Sequence, residues 1–259
     1  MTLQQLRATW PAATVQVQGR EVEIVRTPGK GRPVVFLPGA QGTAETFYKQ
    51  LLAWGGQRPL VSVTYPGLTD GAQLADFTAA VADALDLESF DLVGTSLGGY
   101  VAQWVAVRHP QRLHRVVVGN SFQDPTPSQS PEKRQAVEGR DADTIKAEAL
   151  ARVQASPDGE LKAVQLDLMG KRQPAELLRS RMLAVQVAVP VPPLGVPDDR
   201  LLLVECDNDP LIGAPTRQAI RARYPGAQAV VVEGGGHYPY ILRAEAYNAA
   251  VGRFLELRS

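Results

Sequence analysis

The 259-residue sequence predicts an α/β fold: a mostly parallel central sheet with helices on both faces and a helical cap insertion. Three observations carry that prediction. Short apolar runs bounded by Gly, Pro or Asp recur along the chain, and unalternated runs of this kind suit strands buried on both faces. Between most of them lie segments with apolar residues at three- and four-residue spacings, and strand-helix alternation of this kind makes the strands parallel. The alternation then stops from Asp124 to about Val196, which reads as one insertion and not a second folding domain. Residues 1–259 are therefore expected to form a single domain with a cap at about 125–196.

In chain order, "TVQVQ" and "VEIV", split by Gly19 and Arg20, predict a hairpin. "PVVFLP", "PLVSVTYP", "FDLVGT", "HRVVVGN", "RLLLVEC" and "QAVVVEG" predict buried strands. Helices are expected at about 43–54, 71–86, 97–109, 214–224 and 241–257. In "GAQLADFTAAVADAL", Leu74, Phe77, Val81 and Leu85 fall on one helical face, a pattern of core packing. The insertion opens polar and Pro-rich in "PTPSQSPEKRQAVEGRDADTIK" and turns amphipathic in "GELKAVQLDLMG" and "PAELLRSRMLAVQ". Repeated prolines in "VAVPVPPLGVPDD" lead back to the sheet, and no internal repeat is visible.

Composition narrows the partners. Lys+Arg and Asp+Glu both number 27 and no basic run stands out, so nothing marks a nucleic-acid or anionic-membrane surface. No apolar stretch approaches the ~18 residues of a membrane span, and the N-terminus lacks the features of a signal peptide. Cys206 is the single cysteine, which excludes an intramolecular disulfide; it reads as a small buried residue at a strand end. A cytoplasmic protein with a small, neutral or weakly charged partner is the expectation.

Chemistry concentrates in "VGTSLGGY", residues 93–100, where Ser96 stands between glycines. A glycine-rich turn alone would give the same letters, so context decides. Val93 is expected to end a strand and Leu97 to open a helix, which puts Ser96 on the sharp connection between them. At such an elbow a nucleophile takes a strained conformation, and side chains two residues away would collide with the converging elements. Gly94 and Gly98 remove the collision, and Gly99 adds clearance. The Leu97 N–H, at the helix start, is then free to donate to a developing oxyanion.

A serine hydroxyl needs a base, and three histidines are available. His109, beside Pro110, reads as a helix C-terminal residue, and His114 as a surface residue opening a strand. His237 follows a strand through three glycines and precedes a long helix, on a loop at the sheet's C-terminal edge where the base must be. The orienting acid is expected at the end of the preceding strand, where "LLLVECDNDP" offers Asp207 and Asp209. Asp209 is preferred because Pro210 ends the strand and turns the chain; Asp207 capping the turn, and Asp124 in "VVGNSFQD", remain alternatives. The second oxyanion donor should come from the loop after "VVFLP", with Ala40 N–H the candidate; a plain glycine turn would explain those glycines but not their place opposite the elbow. Phe122, Trp104, Tyr238 and Tyr240 are candidate pocket aromatics or core packing.

With these residues assembled, the chain resembles the α/β-hydrolase superfamily over essentially its whole length. The order Ser96, Asp209, His237 is the order of that superfamily's triad. A narrower resemblance, to the maspardin family, is carried by "GTAETFYKQLLAWGG", "VTYPG", "TSLGGYVAQWVA", "VVGNSFQDPTPS" and "RYPGAQAVVVEGGGHYPYILRAEAYN", and is weakest in the cap. Two departures bear on function. Pro38-Gly39 stands where hydrolases often carry His-Gly, similar to the maspardin loop. Animal members of the narrower family carry Asn within a "GGNFPY" stretch and act as binding proteins, whereas this chain has His237 there. The resemblance therefore implies a serine hydrolase acting on a small-molecule ester or acyl substrate, with a non-catalytic adaptor as the alternative. Neither a metal nor an organic cofactor is implied, since no metal ligands cluster and no phosphate-binding glycine loop is present.

Overall fold

A computed structural model describes residues 1–258, the Ser128 side chain excepted. The chain begins with α1 (Leu3–Thr9), β1 (Ala13–Val17), β2 (Arg20–Thr27), β3 (Val34–Leu37), α2 (Tyr48–Trp54), β4 (Leu60–Val63) and α3 (Gly71–Ala84). It continues through β5 (Phe90–Thr95), α4 (Leu97–Arg108) and β6 (Leu113–Gly119). Then come four helices of an insertion: α5 (Pro131–Glu138), α6 (Ala142–Gln154), α7 (Glu160–Asp167) and α8 (Ala175–Val187). It closes with β7 (Leu201–Glu205), α9 (Ala214–Arg223), β8 (Gln228–Val231), α10 (Pro239–Leu242) and α11 (Ala244–Leu255).

The eight strands form one sheet in the order β1-β2-β4-β3-β5-β6-β7-β8. The first two form the expected hairpin, with Val17 opposite Arg20, and β2 runs antiparallel to β4. Gln18 and Gly19, both at positive φ (49° and 74°), make the turn, so Arg20 already belongs to the second strand. Every other pairing is parallel. The carboxyl ends of β3, β5, β6 and β7 therefore share one edge, where ligands bind in open α/β sheets.

Two apolar clusters flank the sheet, and alternate residues of one strand enter each. Val35 and Leu37 of β3 pack with α3 and α4, while Val34 and Phe36 pack with α2 and α11. These four side chains are at most 2% exposed, which explains the unalternated apolar run. Burying Phe36 alone stabilises the fold by ~1.5–3 kcal/mol.

The element map departs from the sequence expectation in five places. Strand β8, from "QAVVVEG", is not buried: it is the edge strand of the sheet, and one face and its outer side meet solvent, with Val231 48% exposed. Strand β5 covers the whole "FDLVGT" run to Thr95, two residues beyond the Val93 at which the elbow argument ended it. Residues 43–47 are not yet helical: Thr43 N–H donates to Thr46 Oγ1 at 2.9 Å, and α2 begins only at Tyr48. The last helix divides at Arg243, whose φ of −131° interrupts it. Helix α1 was not anticipated, although Thr2 and Gln5 form a reciprocal capping box at its start. It docks through Arg7, whose Nη2 lies 2.6 Å from Oε2 of the buried Glu45.

Candidate active site

Ser96 sits between β5 and α4 with φ 53° and ψ −121°, a conformation that a residue with a Cβ rarely adopts. Neighbouring contacts hold it there. Its N–H donates to Gly119 O at 2.9 Å, and its carbonyl accepts from Ser121 Oγ at 2.7 Å and Tyr100 N at 3.1 Å. A Cβ on Gly94 would lie 2.1 Å from Gly98 O, and one on Gly98 would lie 2.0 Å from Leu37 O. The flanking glycines thus clear one another and the end of β3. Leu97 is the first residue of α4, so its N–H has no acceptor within the helix, and it makes no other hydrogen bond among the described residues.

The loop after β3 folds back beside the serine. Gly42 N–H donates to Gly39 O at 2.9 Å, closing a tight turn. A Cβ on Gly39 would stand 3.2 Å from Ser96 Cβ, which measures how closely the loop approaches the elbow. Ala40 lines the same cavity as Ser96, and its N–H has no protein acceptor among the described residues.

His237 is buried, and its Nδ1 lies 2.9 Å from Asp209 Oδ2 and 3.1 Å from Oδ1. The other two acids are occupied elsewhere. Asp207 Oδ1 accepts Gly234 N–H at 2.8 Å, capping the glycine loop, and Asp124 Oδ1 accepts Thr126 N–H at 2.9 Å. Asp209 also accepts from Leu211 N (2.8 Å), Ile212 N (3.0 Å) and Asn120 Nδ2 (2.6 Å). Burial opposes ionisation of this carboxyl, but the His237, Asn120 and Ile212 donors outweigh it and hold it below the usual carboxylate range.

Asn120 escaped the sequence reading. It follows β6 at φ 43°, a left-handed position that Asn tolerates, and its amide bridges Asp209 to Gly236 O at 3.0 Å. The signal was present in "VVGNS": an asparagine directly after a buried strand at the sheet's functional edge. Cys206 is buried behind the pair, and burial pushes its thiol up to about 11. The remaining histidines stand apart: His109 Nε2 is 2.8 Å from Asp76 Oδ1, and His114 Nδ1 is 3.3 Å from Asp91 Oδ1.

Ser96, His237 and Ala40 open onto one cavity of about 430 Å³. Its walls are largely apolar, with Phe122 and Ile212 from the sheet-edge loops and Val164, Leu168, Met169 and Val185 from the insertion. Tyr238 and Tyr240 also line it. Trp104 does not; half-buried at the margin of the core, it packs edge-on against Tyr100, 6.4 Å between ring centroids. Among the described residues no three His, Cys, Asp or Glu side chains converge as a metal set, and no helix is long and apolar enough to cross a membrane.

Known proteins resemble this chain in sequence or in fold to different extents. Human maspardin is 26% identical over 229 residues, which cover 85% of this chain and 73% of maspardin. The Caulobacter vibrioides protein RutD, named as a carbamate hydrolase, is 26% identical over an alignment that covers 93% of this chain and 96% of RutD. A thermophilic esterase from Thermogutta terrifontis shares the fold, with a TM-score of 0.74 at 21% identity, over 95% of this chain and 98% of the esterase. Residues 34–250 match the model of the alpha/beta hydrolase family, and with that match spanning β3 to α11 the chain belongs to this family.

Proposed function

We propose that the protein is a serine hydrolase that cleaves a carboxylic ester or related acyl bond through an acyl-enzyme. One observation carries this reading: a serine at a strained elbow shares a cavity with a histidine whose Nδ1 is held by a buried carboxylate. With the Nδ1 proton donated to Asp209, Nε2 is the basic nitrogen. It takes the proton from Ser96 Oγ as the oxygen attacks the acyl carbon, and returns it to the leaving alcohol. Asp209 stabilises the imidazolium, and the Leu97 and Ala40 N–H groups stabilise the oxyanion. A water then repeats the sequence on the acyl-enzyme. The apolar walls favour an uncharged, mainly hydrocarbon acyl group. The buried free thiol of Cys206 is in keeping with a cytoplasmic location.

Similarity to maspardin favours a second reading, an adaptor on the same fold without useful turnover. The two separate in one experiment, hydrolysis of aryl esters of increasing acyl length by wild type, Ser96→Ala and His237→Asn. The hydrolase reading expects turnover by wild type and a loss of ~10³–10⁶ in kcat for Ser96→Ala at an unchanged fold. Asn has no useful basicity near neutral pH, so His237→Asn should be nearly inactive as well. A wild type as inert as both variants supports the adaptor.

A further inference from the structure

Three residues of the insertion reach down to the loop that carries Ala40. Gln173 is 1% exposed, and its Nε2 donates to Ala40 O at 3.0 Å. Arg181 of α8 is fully buried and donates from Nη1 to Gly42 O at 2.5 Å and from Nη2 to Tyr65 O at 2.8 Å. Arg172 Nη2 lies 3.2 Å from Oε1 of Glu45, just beyond the same turn.

The arginine is the unusual member. A guanidinium withdrawn from water ordinarily meets a carboxylate, yet among the described residues Arg181 has no ion-pair partner. Its Nη1 and Nη2 donate to two backbone carbonyls, on the loops that follow β3 and β4, the Tyr65 ring lies 5.8 Å from the guanidinium carbon, and Nε is buried without an acceptor among the described residues. An expensive burial is thus directed at loop position. The Gln173 backbone is itself fixed, with its N–H on Leu168 O at 3.0 Å and its carbonyl accepting Lys146 Nζ at 2.7 Å.

Gripping a carbonyl aims an amide. In a trans peptide the N–H points opposite to the preceding C=O. The Gly42 N–H on Gly39 O therefore sets the direction of the Ala40 N–H, and Gln173 on Ala40 O sets that of the Gln41 N–H. Both amides lack a protein acceptor among the described residues, and both residues line the cavity of Ser96.

We propose that Gln173 and Arg181 are positioning residues of the oxyanion loop: Gln173 holds the carbonyl of Ala40 itself and so aims the adjoining Gln41 N–H, while Arg181 anchors Gly42, whose own N–H holds Gly39 O and thereby the direction of the Ala40 N–H. The insertion then tunes the rate of acyl transfer as well as covering the substrate. This rests on the reading of Ser96 as nucleophile and Ala40 N–H as oxyanion donor.

The test compares Gln173→Met, an apolar side chain of similar length, and Gln173→Glu, whose carboxylate cannot donate, with wild type and Ser96→Ala. Arg181→Lys keeps the charge but lacks the two-armed reach. Two readouts are taken: kcat and KM for an aryl ester, and the backbone amide NMR shifts of Ala40 and Gln41 in the free protein. The Gln173 variants should lower kcat ~10–100-fold with KM within ~3-fold, since donor misplacement weakens only the transition-state interaction. Their Ala40 and Gln41 amide resonances should move while those of β6 stay in place. Unmoved amides in Gln173→Met and Gln173→Glu overturn the proposal whatever happens to activity, as does a lowered melting temperature with unchanged kcat. Inert wild type together with moved amides would refute the hydrolase reading and leave the grip on the loop standing.

Discussion

Replacing Asp209 by Asn separates the three candidate acids most sharply, because the structure shows what the amide would meet. The carboxylate accepts from four donors: the Leu211 and Ile212 amides on Oδ1, Asn120 Nδ2 on Oδ2, and His237 Nδ1 across both. An Asn NH₂ placed at the Oδ1 position would orphan two amides, each costing ~1–3 kcal/mol when buried. Placed at the Oδ2 position it faces Asn120, which keeps Gly236 O as a partner, and is the cheaper choice. There His237 Nδ1 must accept, its proton moves to Nε2, and the nitrogen that should receive the serine's proton already carries one. We expect kcat to fall by ~10⁴, the loss seen for the same change in a serine protease, and stability by ~1–3 kcal/mol. The assay is aryl-ester turnover beside urea unfolding, with Asp207→Asn and Asp124→Asn as parallels. The folded-state carboxyl is held below its ordinary range, so its stabilisation is complete above the unfolded pKa and is lost as pH falls through the lower folded value. The stability gap between wild type and Asp209→Asn should therefore be full at pH 7 and close below pH ~4. An active Asp209→Asn beside a crippled Asp207→Asn or Asp124→Asn would refute the assignment.

Ser96→Gly should abolish turnover yet raise the melting temperature, because glycine relieves a positive-φ strain of ~1–3 kcal/mol while adding ~0.5–1 kcal/mol of unfolded-state entropy; a lowered melting temperature would contradict the strain argument. Gly98→Ala places a Cβ 2.0 Å from Leu37 O, so β3 and the loop it feeds must shift, costing ~1–3 kcal/mol or more in stability along with activity. A Gly98→Ala protein with wild-type melting and kcat would show that the elbow is looser than described. Cys206, buried and with its thiol pushed up to about 11, should resist iodoacetamide at pH 8 in the native state and react readily in urea, as alkylation followed by mass spectrometry would report.

What was legible in the sequence follows what is local. Gly94 and Gly98 could be read because close backbone approach tolerates little else, and His237 because a glycine loop after the last strand leads directly into a helix. The acid stayed open among Asp207, Asp209 and Asp124 because all three lie on loops that follow strands ending at the same edge of the sheet. Only side-chain direction distinguishes them, and a sequence does not carry that. Arg181 and Gln173 were invisible for a different reason. Arg181 falls within the amphipathic "PAELLRSRMLAVQ" and Gln173 just before it, places where polar residues are ordinarily solvated, while their partners Gly42 and Ala40 lie 139 and 133 positions away. Helix α1 was missed because its short pattern shows little periodicity, although the Thr2–Gln5 capping box marks its start.

The central claim, that Ser96 is an activated nucleophile, is tested most directly by intact-protein mass spectrometry after treatment with a fluorophosphonate. The reagent should add once to wild type, the adduct should map to Ser96, and both Ser96→Ala and His237→Asn should remain at their unlabelled mass. An unlabelled wild type, or an adduct on any other residue, would contradict it.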